Sequence, residues 1–575
     1  MNDSTLTSTQ GGAPRAALPQ AAPASARPLL GLGTPLQVSA MTLALIAAGA
    51  AALLVNGYFV FVIAGVAMLA ICGVGLNLLL GLTGQISFGH VAFYAIGAYT
   101  VAILTGQAGW SIWAAWPAGA LIAAATGALL ALPALRVKGP GLAMVTIAFG
   151  FIVEHGAVEW RALTGGQNGL MGIAQPSLPG VDGGERALAL IALAVLAIAL
   201  AAYARISRGP WGAAMRAVRD SETAAASIGI DPLVVKTVGF AFSAALAGLA
   251  GGLFAPLQGM VAPGMFSFLQ SILFVLVVMI GGAGTVAGPV LGAVVVGVLP
   301  ELLSSLENLR LLFFGGLLLL VLWVAPGGIA GMFGQLWQRA RPQRRACGEG
   351  AGAGAGAGAS LPALPPSRQR GLAAQGLSMV FGGVRAVDDL SFDMPAGAVT
   401  SLIGPNGAGK STVLNMLSGY YRARAGGRRL GQAALPARGA CHSARNGIAR
   451  TYQTSQLFAG MSAAENVAIA LRRGRLGTLL GIAGFTAPAV RQQALDLLAA
   501  CGYAGDPDAC AADLAHVDRR LVEIARALAT APRCCCSMSR PPGYRARTRR
   551  GWVRCCARLP AAALRWGWWN TICRW

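Results

Sequence analysis

The stretch AVTSLIGPNGAGKSTVLNMLSGY, residues 398–420, orders the rest of the chain. AVTSLI reads as a strand and KSTVLNMLSGY opens a helix. Between them Gly404-Pro405-Asn406-Gly407-Ala408-Gly409-Lys410-Ser411 fits G-x-x-x-x-G-K-[ST], and Thr412 follows inside the helix. The backbone N–H groups of such a loop point inward and cradle phosphate oxygens, and the helix N-terminus adds positive potential. The pattern assigns Lys410 to the β and γ phosphates of ATP and Ser411 to Mg2+. The strand–loop–helix setting makes an α/β P-loop domain the expected fold here.

Outward from that loop, residues from about 369 alternate strand-like and helical runs of ordinary polarity. VRQQALDLLAACGY (490–503) and DRRLVEIARALAT (518–530) are further amphipathic helices. The N-terminal half has another texture. The chain of 575 residues is 55% hydrophobic and only 11% charged, against about 25% charged in a soluble globular protein. No Lys, Arg, Asp or Glu lies between Arg27 and Arg136, from Thr237 to Pro300, or from Leu311 to Gln338. Such runs supply several spans of roughly 20 apolar residues. Ten candidate helices follow, near 38–55, 58–80, 88–105, 112–133, 141–158, 187–204, 236–258, 268–282, 285–302 and 309–326. The Gly-rich IGGAGTVAGP segment (280–289) is a candidate re-entrant break.

Basic loops set the orientation. Arg136 and Lys138, then Arg205, Arg208, Arg216, Arg219 and Lys236, then Arg339, Arg341, Arg344 and Arg345, mark inside loops, and ten spans place all three sets on one side. The net charge of +23 sits in these loops and in the last 43 residues, and no nucleic-acid reading motif accompanies it, so nucleic acid is excluded as a partner. The expected domains are a disordered leader (1–36), a transmembrane domain (37–330), a basic and Gly/Ala/Pro-rich linker (331–367), a partial ATPase domain (368–532) and a tail (533–575). Of eleven cysteines, six lie after Arg533. The other five lack metal-ligand spacing, which suits a reducing cytosolic face.

The P-loop domain resembles the ABC-type ATPase family. That resemblance extends to Phe381 in MVFGGVRAVDDLSF, where an aromatic ring stacks on adenine. It extends also to Gln453 in GIARTYQTSQLF, which in the family contacts Mg2+ and the attacking water. ARTYQ together with GMSAAENV (460–467) looks most like the ATPases of branched-chain amino acid importers. Their signature helix runs like L-S-Y-G-D-Q-R, and here Leu514-Ala515-His516-Val517-Asp518-Arg519-Arg520 stands in its place. Ala515 and Val517 replace the serine and glycine that would touch a partner's γ-phosphate, and a Val adds bulk where backbone must approach closely.

The membrane half is similar to the permeases of the same importers through GLNLLLGLTGQISFGHVAFYAIGAYT (75–100), GPGLAMVTIAFGFI (139–152) and TGGQNGLMGI (164–173). Small residues at helical spacing permit close packing and broken helices. WGAAMRAVRDSETAAASIGIDP (211–232) resembles the coupling loop of ABC importers, with Glu222, Ala225 and Gly229 expected to dock on the ATPase beside Gln453. Glu154, His155 and Glu159 lie at an outer helix end, where they reach water or serve function. His90 is either a packed core residue or a pathway residue.

The tail breaks the pattern. From Arg533 to Trp575 there are ten arginines and no acid. An ATPase of this family continues with an apolar strand ending in Asp-Glu, for magnesium and for general-base work, and later a switch histidine. None follows Pro532, so no catalytic residue is assigned. Yet Cys-Cys-Cys-Ser-Met-Ser-Arg-Pro-Pro-Gly (534–543) can be written TGC TGC TGC TCG ATG AGC CGN CCN CCN GGN. One base earlier, the same bases encode Leu-Leu-Leu-Leu-Asp-Glu-Pro. A frameshift is therefore expected at about residue 534; three adjacent cysteines without histidine are poor geometry for a metal site.

Taken together, the resemblance implies a multi-pass permease fused to an ATP- and Mg2+-binding domain in a bacterial inner membrane, with the ATPase cytoplasmic. It implies uptake of branched-chain or other hydrophobic amino acids with a second permease, a second ATPase and a periplasmic amino-acid-binding protein as partners, in contact with membrane lipid. The alternative is a non-hydrolysing nucleotide-binding scaffold or an inactive product; an exporter fits the coupling loop less well.

Overall fold

The computed structural model describes residues 35–134, 137, 139–181, 183–302, 315–316, 319, 323, 327–332, 371–395, 400, 402–436, 438–481, 487–537 and 566–568. The helices α1 (Pro35–Leu54), α2 (Gly57–Asn77), α3 (His90–Gly106), α4 (Ile112–Ala134) and α5 (Pro140–Glu159) come first. After a short turn of helix, α6 (Arg161–Thr164), come α7 (Gly184–Arg208), α8 (Pro210–Asp220), α9 (Glu222–Ser227), α10 (Pro232–Gln258), α11 (Phe268–Gly281) and α12 (Gly288–Leu302). Nine of the ten expected apolar segments are thus helical, with ends shifted by a few residues. The tenth, 309–326, lies almost wholly outside the described residues, as do the leader and the linker. Among the described residues six helices are long and apolar enough to cross a membrane.

Glycine sets how closely the bundle packs. A Cβ on Gly97 would sit 2.1 Å from the Gly248 carbonyl oxygen, and one on Gly251 1.9 Å from that of Tyr94, so α3 and α10 meet backbone to backbone. Without a hydrophobic drive in lipid, that contact is how helices associate. The chain is interrupted between α2 and α3: residues Leu78–Thr83 form a π-turn, Gly84 is left-handed (φ 68°), and the helix resumes at His90. The interruption is satisfied internally, since Phe88 N–H donates to Thr146 Oγ1 (3.1 Å) and Ser271 Oγ donates to the Phe88 carbonyl (2.5 Å). Two-residue strands β1 (Leu170–Met171) and β2 (Met260–Val261) pair antiparallel outside the bundle.

The second half opens with an antiparallel sheet of β3 (Leu372–Phe381), β4 (Val384–Met394), β5 (Ala425–Leu430) and β6 (Ala433–Leu435), in the order β4-β3-β5-β6. The helix α13 (Lys410–Leu417) follows the phosphate loop, then α14 (Ala440–Arg445), β7 (Ile448–Arg450), α15 (Ala463–Leu471), α16 (Pro488–Ala500) and α17 (His516–Ala529). Most of the strand expected at 398–403 falls outside the described residues. A separate parallel sheet goes beyond the boundary expected at Pro532: β8 (Cys534–Ser537) pairs parallel to β7, with Arg450 opposite Cys536, and β9 (Trp566–Trp568) pairs parallel to β8. One apolar core packs the sheet around Leu377, Val413 and Met416. The other runs without a break from the bundle through α8 and α9 into Phe458, Met461 and Val522 of the ATPase half.

Candidate functional site

The phosphate loop is exposed and shaped for an anion. Gly407 (φ 88°) and Gly409 (φ 73°) take left-handed backbone, and Gly409 is the N-cap of α13. A Cβ there would lie 2.2 Å from the Ala386 carbonyl, so only glycine lets the loop settle against β4. Lys410 Nζ donates back to the carbonyls of Gly404 (2.7 Å) and Pro405 (2.5 Å). Ser411 is exposed on the first turn of α13, with Thr412 half-buried behind it. Pro405, Asn406 and Ala408 complete the exposed rim. A glycine-shaped loop, a helix N-terminus and one cation, Lys410, fit a nucleotide's phosphates. Phe381 ends β3, 41% exposed, with its ring edge-on to Tyr421 at 5.2 Å. Gln453 is exposed in the loop after β7. Among the described residues no cluster of His, Cys, Asp and Glu could hold a metal on its own.

The loop bearing Gln453 is held by the signature helix. Glu523 on α17 is 1% exposed; it accepts from the Tyr452 N–H at 2.9 Å and from Arg520 Nη1 at 2.5 Å. Arg520 donates also to the Tyr452 carbonyl. Arg526, fully buried, lies over the Phe458 ring at 4.7 Å. Leu514 is buried, whereas Ala515, His516 and Val517 are exposed and Asp518 half-exposed at the N-terminus of α17. Ala515 is the N-cap and supplies no side-chain acceptor, where a serine would.

The coupling loop docks beside this loop. Ser221 Oγ (2.7 Å) and Thr223 Oγ1 (3.0 Å) donate to Gln456 Oε1. The phenols of Tyr420 (2.5 Å) and Tyr452 (3.0 Å) donate to the Thr223 carbonyl. Burial raises both phenol pKa values, so both stay protonated as donors. The Gly460 N–H donates to Asp220 Oδ2 at 2.8 Å. Gly229, left-handed at φ 87°, offers its carbonyl to Arg445 Nε (2.9 Å) and Cys441 Sγ (3.0 Å). Of the expected docking residues, Gly229 meets the ATPase, Ala225 is fully buried, and Glu222 pairs with Lys236 inside the permease (2.7 Å).

Sequence reasoning placed Thr223 within the docking stretch Glu222 to Ala226 but did not single out Tyr420, Tyr452, Gln456, Asp220 or Ser221. The available signal was that Ser221 caps α9, accepting from Ala224 N–H, as Ser before a helical run does. His90, 1% exposed, is bound through Nε2 to Ser243 Oγ at 2.6 Å, a packed position between α3 and α10. Glu154 is half-buried, while His155, stacked on Phe151 at 6.3 Å, and Glu159 are exposed.

Comparison with known proteins divides the chain in the same place. Residues 58–322 match the branched-chain amino acid transport system permease component family, and residues 387–536 match the ABC transporter family. The high-affinity branched-chain amino acid transport system permease protein LivM of Escherichia coli (strain K12) is 36% identical over 281 residues, 45% of this chain and 66% of LivM. The ATP-binding protein LivG of the corresponding system in Salmonella typhimurium is 37% identical over 169 residues, 28% of this chain and 66% of LivG. The chain thus spans just under two thirds of the length of each. Among solved structures, a nucleotide-free ATP-binding cassette from an ABC transporter aligns at 24% identity and a TM-score of 0.30, over 34% of this chain and 80% of that one.

Proposed function

Because the chain belongs to the branched-chain amino acid permease family over residues 58–322 and to the ABC transporter family over 387–536, we propose that it is the fused permease and ATP-binding subunit of an importer for branched-chain or other hydrophobic amino acids. The observation that carries the reading is the junction: Ser221 and Thr223 of the membrane half bind Gln456, three residues from Gln453. In this reading the ATPase faces the cytoplasm of a bacterial inner membrane. A second permease, a second ATPase and a periplasmic amino-acid-binding protein complete the assembly.

ATP hydrolysis would supply the energy in this reading, and Ser411 and Gln453 would hold the Mg2+ that accompanies the nucleotide. Lys410 would exchange its bonds to the Gly404 and Pro405 carbonyls for phosphate oxygens. Phe381 would stack on the base and shield it from water. The N-terminus of α17, residues 514–518, with Ala515, His516 and Val517 exposed, would meet the nucleotide held by the second ATPase. Glu523 and Arg520 would keep the Tyr452–Gln453 loop in register with that helix, so that a change at either end reaches the coupling loop.

The hydrolytic residues are the incomplete part. The frameshift reading is supported by β8. Its four residues are the length of the Leu-Leu-Leu-Leu run in the other frame. Cys535 packs in one core, and Cys534 and Cys536 in the other. A strand buried on both faces is ordinarily a continuous aliphatic run. The end of β8 is also cationic: the Cys536 thiol is held below its usual range by the Cys534 hydrogen bond first and then by Arg450 and Arg428, against burial. Among the described residues four arginines are buried, Arg428, Arg450, Arg520 and Arg526, against one acid, Glu523. An Asp-Glu pair after β8 would redress that balance. The second reading, a non-hydrolysing scaffold, is favoured by Ala515 and Val517 at the signature positions.

The deciding test resequences codons 530–575 and measures the intact mass of the protein. Binding-protein-dependent uptake of leucine into ATP-loaded vesicles then tests the transport reading. Uptake without the binding protein, or none with a restored frame, would overturn it.

A further inference from the structure

The segment after α15 reads Arg472-Arg473-Gly474-Arg475-Leu476-Gly477-Thr478-Leu479-Leu480-Gly481, basic and apolar with no acid. It belongs to the ATPase half, yet it is bonded to the end of a helix of the other half. Trp211 Nε1, in the first turn of α8, donates to the Gly477 carbonyl at 3.0 Å. Arg205 Nε, in the last turn of α7, donates to the Leu480 carbonyl at 3.2 Å. The helix α7 is long and apolar enough to cross a membrane, and its last turn carries Arg205 and Arg208. Basic residues and tryptophan at the end of an apolar span mark the level of the lipid headgroups. The bonds to Arg205 and Trp211 hold residues 477–480 at that level.

The side chains of the segment divide between protein and solvent. Leu476 and Leu479 pack against the core that joins the two halves. Leu480 turns outward, 48% exposed, and Arg473 and Arg475 are exposed. Among the described residues neither arginine has a carboxylate partner; the ion pairs of the ATPase half use Arg385, Arg491 and Arg520 instead. Burial, then the charges of Arg475 and Arg533, lower the Arg473 pKa, so like charges gather here without an acid. Arg473 also holds left-handed backbone at φ 49°, a conformation that suits glycine better than a long side chain. A strained residue of this kind points to a use for its side chain.

We propose that residues 472–481 form a lipid-contact surface, in which Arg473 and Arg475 bind the headgroup phosphates of anionic phospholipids and Leu480 enters the boundary with the acyl chains. This rests on the reading that puts the ATPase half against the inner face of a membrane. Exposed arginines alone would serve any phosphate. An outward leucine beside them, at the end of a membrane helix, suits a bilayer surface. The contact gives the ATPase half a hold on the membrane that is separate from its bonds to the coupling loop.

Hydrogen exchange of the full chain tests this, in nanodiscs of phosphatidylcholine alone or with about a third phosphatidylglycerol. The amides of 474–481 are expected to be about fivefold or more better protected in the anionic bilayer, the contribution of one arginine near such a surface. Those of α16 are expected to be alike in both. The difference is expected to vanish at about 1 M salt, where the screening length falls to about 3 Å. The double variant Arg473→Gln/Arg475→Gln is expected to bind ATP as before and to lose the difference, and Arg473→Lys/Arg475→Lys to keep it. Should the glutamine variant not fold, the salt series on the unaltered chain carries the same test. Equal protection in the two bilayers, a difference that survives high salt, or a full difference in the glutamine variant would overturn the proposal and leave the importer reading standing. An unaltered chain that does not enter nanodiscs would remove the membrane reading, and the lipid contact with it.

Discussion

The junction with the membrane half and the hydrolytic edge of the ATPase lie on the same domain and are built to different standards. At the junction, polar groups meet partners: Thr223 with Tyr420 and Tyr452, Gln456 with Ser221, Asp220 with Gly460. At the hydrolytic edge, three cysteines fill a strand buried on both faces and an alanine caps α17. In the importer reading, a domain keeps the surfaces that would receive a nucleotide and grip a permease even where the residues that would split the nucleotide are not read in the sequence. Docking uses residues that precede β8, and in the frameshift reading hydrolysis would rest on residues that follow it.

The sharpest way to break this comparison is at Glu523. It is the only buried acid among the described residues and ties α17 to the loop of Tyr452. Glu523→Ala leaves Arg520 buried without its carboxylate, and is expected to cost about 3–5 kcal/mol. Chemical denaturation of the ATPase half, followed through tyrosine and far-ultraviolet signals, measures it; a loss below about 1 kcal/mol, the value of an exposed pair, would mean that the junction is not underpinned from this side.

Next is Lys410→Ala. Removing the charge from the phosphate loop is expected to lower ATP affinity roughly 10- to 100-fold, the range of a charge-assisted hydrogen bond. Unchanged affinity would place nucleotide elsewhere and remove the contrast between binding and hydrolysis. A smaller effect is expected at Gln456→Ala, which deletes the acceptor shared by Ser221 and Thr223. About 0.5–1.5 kcal/mol per hydrogen bond is at stake. Its readout is Cys441, whose thiol donates to Gly229 across the junction and whose pKa burial raises first of all. Maleimide labelling of Cys441 at neutral pH is expected to be slow and to speed up in Gln456→Ala. The smallest effect is at Ala515→Ser, which restores an N-cap acceptor to α17 and is expected to add about 1 kcal/mol of stability. No gain would show that the exposed start of that helix is fixed by contacts other than its cap.

Much of the fold was legible because its periodicities are strong. Long charge-free runs gave the membrane helices to within a few residues, and the strand–loop–helix pattern located Lys410–Leu417. The interruption at 78–89 was legible as the gap between the helices expected at 58–80 and 88–105, but the groups that hold it were not. What shapes the interruption is a left-handed Gly84, an acceptor supplied by Thr146 and a donor supplied by Arg219, 62 and 135 residues beyond Gly84. The junction was only half legible for a similar reason. A loop resembling a coupling loop could be recognised, but Glu222 turned inward to Lys236, while Gln456, unremarkable as a letter, became the acceptor. Partners chosen across more than 200 residues leave no local trace.

Joining the two halves on one polypeptide alters what their junction has to achieve. Docking becomes intramolecular, at an effective concentration of order millimolar for a flexible connection. An interface worth only about 4 kcal/mol would then be occupied half the time, and small carbonyl and hydroxyl contacts would suffice. Separate subunits need a grip firm enough to find each other at cellular dilution. A tethered pair can relax that requirement and let the interface loosen and re-form in every cycle without losing its partner.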